Sequence, residues 1–157
     1  MSINNELNKI KEFIDNENSI EFEHVNDKFI GKTCTKNNDV VITVKANTLG
    51  SAICKMEEAL GGVLSNTSKD NLNMFNGIDW IINKNCKLSL YTYNGSKSKD
   101  LIATIYADEQ CNLERNLNLF TSETDYDNSC LSVLHQCNIW AETLKRHIES
   151  QKNEEMV

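Results

Sequence analysis

The sequence predicts an α+β domain: a single, mostly antiparallel sheet with an N-terminal helix, a middle helix and a long C-terminal helix. Three observations lead to this fold class. Apolar residues recur every three or four positions in three segments, which is the period of an amphipathic helix. Short β-branched or aromatic runs bounded by turn-forming residues lie between these segments. The 157 residues suffice for one domain, placed at residues 1–150 and followed by a flexible polar tail at 151–157.

The first half of the chain passes from helix to strands and back to helix. Ile3, Leu7 and Ile10 begin an apolar stripe that predicts a helix over residues 3–14. Three strand-like runs follow as an antiparallel meander, at residues 19–25, 29–35 and 40–45. A second stripe predicts the middle helix, residues 49–60, which begins after Asn47 or Thr48 and ends at Gly61.

The second half reads as further strands and a final helix. Alternating apolar residues predict three strands, at residues 78–83, 87–93 and 101–107. Residues 63–76 read as a loop with a short helical turn, and residues 108–128 as an acidic connection with one or two helical turns near Leu113, Leu117 and Phe120. The last helix is predicted over residues 129–150, with Cys130 and Cys137 on its apolar stripe. That stripe fits either a helix packed on its own sheet or a dimer-forming helix.

Charge and composition argue against several classes of protein. The net charge of −7 and the pI of about 5.0 are unsuited to coating nucleic acid, because phosphate binding relies on clustered lysine and arginine. The first residues lack a signal-peptide pattern, and no apolar run approaches the roughly 18 residues of a membrane span. We therefore expect a cytoplasmic protein without a membrane segment, whose cysteines stay reduced.

Side chains that carry chemistry do not form recognisable motifs. The six cysteines and three histidines do not fall into a metal, redox or nucleophile spacing, and the glycines do not form a phosphate-binding loop or a nucleophile elbow. Asp125 and Asp127 resemble the start of a calcium loop, but Cys130 stands where glycine is needed. We expect no metal, no cofactor and no catalytic residue, and hence a protein that is not an enzyme.

The strand pattern instead points to a surface. One face of the predicted strands is apolar enough to form a core, and the opposite face is also rich in aromatic and aliphatic residues: Ile81, Tyr91, Tyr93, Ile102 and Tyr106. A rim of lysines flanks this predicted aromatic face: Lys84, Lys87, Lys97 and Lys99. Such a surface is typical of a protein interface, unless another part of the same chain covers it.

The order of elements resembles the type III secretion chaperone fold. The similarity lies in the hairpin at residues 86–107, the acidic segment after it, and the last helix with Leu131, Leu134 and Trp140. The resemblance implies a homodimer that binds an unfolded segment of a client through apolar sheet surfaces. It assigns no role to an individual residue.

Two hypotheses about function follow from the predicted aromatic face. The first is a non-catalytic protein-binding module, either chaperone-like or an inhibitor of a host factor, which partners another protein. A homodimer is a further expectation under this hypothesis. The alternative is a protein that sequesters a small ligand or nucleotide, with the lysine rim binding an anion and the tyrosines stacking on a base. An enzyme with an unrecognised site is a third class.

Overall fold

A six-stranded antiparallel sheet carries the helices on one of its faces. The computed structural model describes residues 7–37, 39–65, 75–107 and 120–155. Its elements in chain order are α1 (Asn8–Ile14), β1 (Ser19–Val25), β2 (Lys28–Cys34), β3 (Val40–Ala46), α2 (Leu49–Ala59), α3 (Asn76–Ile82), β4 (Cys86–Asn94), β5 (Lys99–Ala107), β6 (Phe120–Asp125) and α4 (Cys130–Glu155). The strand order is β3-β2-β1-β4-β5-β6. The predicted α+β fold class, with its N-terminal, middle and long C-terminal helices, is confirmed.

The core lies between the sheet and the helices. Alternation along each strand sends every second side chain into it, as Ile20 and Phe22 on β1 and Leu88 and Leu90 on β4 illustrate. These residues form one cluster with buried side chains of all four helices. Among the described residues, no helix is both long and apolar enough to cross a lipid bilayer.

Helix starts are stabilised by contacts between helices. Thr48 caps α2 locally, since its side chain accepts a hydrogen bond from Ser51 N at 3.1 Å. The N-cap residues of α1 and α3 are Leu7 and Phe75, which make no side-chain cap hydrogen bond. The first N–H groups of α1 and α3 therefore need hydrogen-bond acceptors from elsewhere in the fold.

Side chains of following helices supply the missing acceptors. Glu57 of α2 accepts hydrogen bonds from Lys9 N at 3.1 Å and Ile10 N at 2.9 Å, at the start of α1. Asp79 of α3 accepts one from the backbone of Leu49, at the start of α2. Asn138 of α4 accepts two at the start of α3. We call Glu57, Asp79 and Asn138 the cap relay, because each of them accepts a hydrogen bond from the start of the preceding helix.

The segment predicted as a strand at residues 78–83 is instead the helix α3. Ile78, Ile81 and Ile82 are all buried, which fits a helical spacing of three to four and not strand alternation. Short apolar runs do not discriminate between the two structures, and the contacts of α3 with α4 decide in favour of the helix.

Three further predictions are corrected at element ends. β6 occupies residues predicted to be a connection. The prediction missed this strand because Phe120 is its one apolar residue and its polar sequence gives no strand signal. α4 continues to Glu155, five residues beyond the predicted helix end at residue 150. α1 begins at Asn8, later than predicted. Most of the predicted loop at residues 63–76, and the helical turns near Leu113 and Leu117, lie outside the described residues.

Candidate functional site

The sheet side opposite the helices is the candidate site, and we call it the open face. Its residues on β4 and β5 alternate with the core residues of those strands, and they include four of the predicted positions: Tyr91, Tyr93, Ile102 and Tyr106. We call these four residues the tyrosine face. No element of the described residues packs over it, since the helices contribute to the core on the other side.

Hydrogen bonds order part of the tyrosine face. Tyr91 lies opposite Ile102, and its hydroxyl is 3.2 Å from Thr104 Oγ1. Thr104 Oγ1 is in turn 3.3 Å from Thr121 Oγ1 on β6. The three side chains thus form a row of hydroxyl groups across three strands, which holds the Tyr91 ring against the sheet.

Two carboxylates of β1, those of Glu21 and Glu23, order the part of the open face around Tyr106. The Tyr106 hydroxyl donates to Glu21 Oε1 at 2.7 Å, and burial, together with this bond, raises the pKa of Tyr106. Glu23 lies between two lysines, with Lys32 Nζ at 2.7 Å and Lys87 Nζ at 3.5 Å. The hydrogen bond to Glu23 raises the pKa of Lys32. The open face is therefore more polar than the sequence pattern predicted, with aromatic rings set among paired charges.

Exposure differs sharply between neighbours on the tyrosine face. Tyr93 is 57% exposed, whereas Ile102 is only 7% exposed. Gly95 makes room for the Tyr93 ring, because a Cβ at this position would lie 3.0 Å from Tyr93 Cε1. Tyr93 is thus the aromatic ring most available to a partner, whereas the Ile102 side chain is buried on the same face.

The placement of Ile81 on this face is wrong. Ile81 lies in α3, is fully buried and belongs to the core cluster on the helical side of the sheet. The error follows from reading residues 78–83 as a strand, in which Ile81 would alternate with Trp80 and Ile82. We therefore exclude Ile81 from the candidate site.

The four lysines do not form one rim. Lys84 and Lys87 lie near the start of β4, and Lys97 and Lys99 lie beyond its other end, about 26 Å away for a nine-residue strand. Each group has its own surroundings: Lys84 Nζ is 5.5 Å from the Trp80 ring centroid, and Lys87 pairs with Glu23.

Lys99 belongs to a separate cluster on the helical side. Its ammonium group forms an ion pair with Asp15 and lies 4.0 Å from the ring centroid of Tyr126. Lys11 Nζ lies 4.4 Å from the same centroid. Burial and the neighbouring Asp15 raise the pKa of Tyr126 to about 12. Lys99 therefore ties the β4–β5 hairpin to α1 and the start of α4, and it is unavailable to a ligand on the tyrosine face.

The two cysteines of α4 and the carboxylate of Glu57 are buried, and that of Asp79 is partly buried. Cys130 and Cys137 are fully buried, and burial raises the pKa of each thiol to about 12, far from a nucleophilic thiolate. Burial also raises the pKa of Glu57, and raises that of Asp79 to about 6, but both carboxylates face helix starts. No group of three or more potential metal ligands occurs among the described residues.

Concave sites near the open face are shallow. A depression of about 360 Å³ lies at the start of β1 and is lined by Ser19, Tyr91 and Tyr93 among others. Another of about 290 Å³ lies where β1 ends, beside Lys87. Both depressions are open to solvent and neither is an enclosed cavity that would bury most of a small ligand, which favours a surface that contacts a macromolecule.

The cap relay is the feature that the sequence analysis missed. Leu7 and Phe75 precede their helices in the positions where serine, threonine, aspartate or asparagine would be expected. This lack of a local cap was a usable signal, although it did not identify the residues that replace it.

Comparison with known proteins found no match to this chain: neither a family model, nor a curated protein, nor a solved structure matches it.

Proposed function

We propose that this protein is a non-catalytic module that binds another protein through the tyrosine face. It acts either as a chaperone-like factor or as an inhibitor of a host factor, in the cytoplasm, where free thiols stay reduced. The observation that carries the proposal is the set of aromatic side chains on β4 and β5 over which no described element packs, with Tyr93 57% exposed. Surfaces of this kind are enriched at protein interfaces.

The chemistry of the tyrosine face suits a protein partner. A tyrosine ring offers a large apolar area and a hydroxyl, and it has few torsions to immobilise on binding. Tyr91 and Tyr106 are already ordered by bonds to Thr104 and Glu21. Because part of the ordering entropy is lost on folding, less is lost when a partner binds.

The arrangement of polar groups gives little support to the alternative of a sequestered nucleotide. That hypothesis needs lysines and tyrosines around one concave site. Lys87 is engaged by Glu23, Lys99 faces the other side of the sheet, and the depressions beside the tyrosines are open. A flat surface of mixed character favours a macromolecule over a small anion.

A photo-crosslinking amino acid at position 93 tests the proposal in the producing cells. We expect a discrete adduct from this position, because Tyr93 is the most exposed residue of the tyrosine face. The matched control carries the same crosslinker at Ile139, which is 64% exposed on α4. The adduct is expected from position 93 and not from position 139.

Light scattering and a double substitution complete the test. Tyr91→Ala with Tyr93→Ala should leave the fold intact and abolish the adduct formed by a crosslinker at position 89, on the same face. An adduct of twice the chain mass, with a dimer in light scattering that the double substitution dissociates, would mean that a second copy covers the face. That result, or equal adducts at positions 93 and 139, would overturn the proposed binding of another protein.

A further inference from the structure

The strand β3 is the outer strand of the sheet at one edge. It pairs with β2 on one side, and no described strand pairs with its other side. Residues 40–44 are all β-branched, and Val40 and Val41 are 53% and 67% exposed. A seven-residue edge of this composition is a template for a further strand unless it is protected.

Hydrogen bonds show which peptide groups of β3 face outwards. Thr33 Oγ1, on β2, accepts from Ile42 N at 2.8 Å and from Val41 N at 3.3 Å. The shorter bond shows that the N–H of Ile42 points to β2. Because peptide groups alternate along a strand, those of Thr43 and Lys45 then point away from β2. The Lys45 carbonyl accepts a bond of 2.7 Å from Lys55 Nζ, an exposed group that a partner backbone can displace. The outer side of β3 therefore offers backbone donors and an acceptor to another strand.

The charge around this edge differs from that of the whole chain. Residues 28–46 carry four lysines and one aspartate in a chain of net charge −7. Lys32 is paired with Glu23, which leaves three lysines against one aspartate, a local net charge of +2. Lys45 is exposed on β3, and Lys28 is exposed at the start of β2. Two copies paired through β3 would bring two such positive clusters together, which is unfavourable. The charge instead complements an acidic strand.

We propose that β3 accepts an extended acidic segment of a partner polypeptide as an additional strand of the sheet. The partner backbone pairs with Thr43 and Lys45, and its carboxylates lie near Lys28 and Lys45. Its apolar side chains, which alternate onto the other face of the sheet, contact the partly buried Ile42 and Val44. This surface is separate from the tyrosine face, so the inference does not depend on the proposed function.

The test uses a defined peptide and the full chain. The probe is a seven-residue peptide of alternating glutamate and valine, blocked at both ends and labelled for fluorescence anisotropy at low ionic strength. We expect it to bind and to protect the amides of Thr43 and Lys45 from hydrogen exchange. Two control peptides should fail to bind: alternating lysine and valine, and the acidic peptide with alternate backbone nitrogens methylated.

Matched protein variants separate backbone pairing from charge. Thr43→Pro removes an outward N–H at an edge position, where proline is tolerated, and should weaken binding at least tenfold. Lys45→Glu should weaken binding roughly three- to tenfold, as expected for reversing one exposed charge. Lys97→Glu makes the same change of net charge on the remote β4–β5 loop and should have no effect.

Three outcomes of the binding experiments would overturn the inference. The acidic peptide fails to bind, it binds equally well when methylated, or Lys97→Glu weakens binding as much as Lys45→Glu. If Thr43→Pro does not fold, the methylated peptide still decides the question. Self-association that grows with concentration in light scattering, and that the acidic peptide does not reverse, would place a second copy on β3 and also overturn it.

Discussion

Asn138→Ala removes the acceptor that holds the start of α3. Asn138 is 6% exposed, and its Oδ1 accepts hydrogen bonds from Gly77 N at 3.0 Å and Ile78 N at 3.1 Å. A buried donor without a partner costs about 1–3 kcal/mol, a range that includes the roughly 1 kcal/mol typical of a lost N-cap. Alanine recovers roughly 0.5 kcal/mol through its higher helix propensity. We expect the free energy of unfolding to fall by about 1–2.5 kcal/mol.

Urea unfolding measures this loss. The transition is followed by circular dichroism and by the fluorescence of Trp80 on α3 and Trp140 on α4, and the slope with urea should stay unchanged. Thr143→Ala, at an exposed position of α4, is the matched control and should change stability by less than about 0.5 kcal/mol. In the Asn138 variant, hydrogen exchange should show that the amides of Gly77 and Ile78 lose protection.

Equal destabilisation by Asn138→Ala and Thr143→Ala would show that Asn138 does not stabilise the start of α3. A loss of stability with the amides of Gly77 and Ile78 still protected would show that the loss arises from packing and not from the cap.

Four other substitutions test the fold and the candidate site. Gly77→Ala should cost about 1–3 kcal/mol in urea unfolding, because the added Cβ would lie 2.6 Å from Glu142 N; a neutral result would show that α3 and α4 can separate. Burial raises the pKa of Asp79 from 3.8 to about 6, so the folded state holds this proton more tightly and loses stability as the pH rises through that interval. Asp79→Asn should remove this loss, and urea titrations at about pH 4 and pH 7 check it; an unchanged pH dependence contradicts it. Ile102→Ala should cost about 2 kcal/mol and Tyr93→Ala less than about 0.5 kcal/mol, since only Ile102 is buried; comparable losses would mean that Tyr93 is part of a core.

Much of the fold could be predicted from the sequence because the patterns that indicate it are local. The stripe from Leu49 onward and the capping Thr48 lie within one helix, and the structure confirms both. α3 was predicted wrongly because its seven residues contain too few turns to show a period, and its helical form depends on Asn138, sixty-one residues from Gly77. β6 was missed because pairing with β5, and not its own composition, makes it a strand.

The candidate site was predictable only in part, for a related reason. Alternation along β4 and β5 places Tyr91, Tyr93, Ile102 and Tyr106 on one face, and the structure agrees. The pairing of Glu23 with Lys32 and Lys87 joins three strands, so the sequence pattern did not reveal how polar this face is. The lysines near one another in sequence separate because a nine-residue strand carries them to opposite ends.

The cap relay has a consequence for how the chain folds as it is synthesised. The start of α1 needs Glu57, the start of α2 is bonded by Asp79, and the start of α3 needs Asn138. Each of these bonds joins a helix start to a residue that leaves the ribosome later, so the capping bonds of α1 and α3 form only after the following helix has been synthesised. A nascent chain that lacks α4 therefore has the N–H groups of Gly77 and Ile78 without the acceptor that Asn138 supplies in the folded protein.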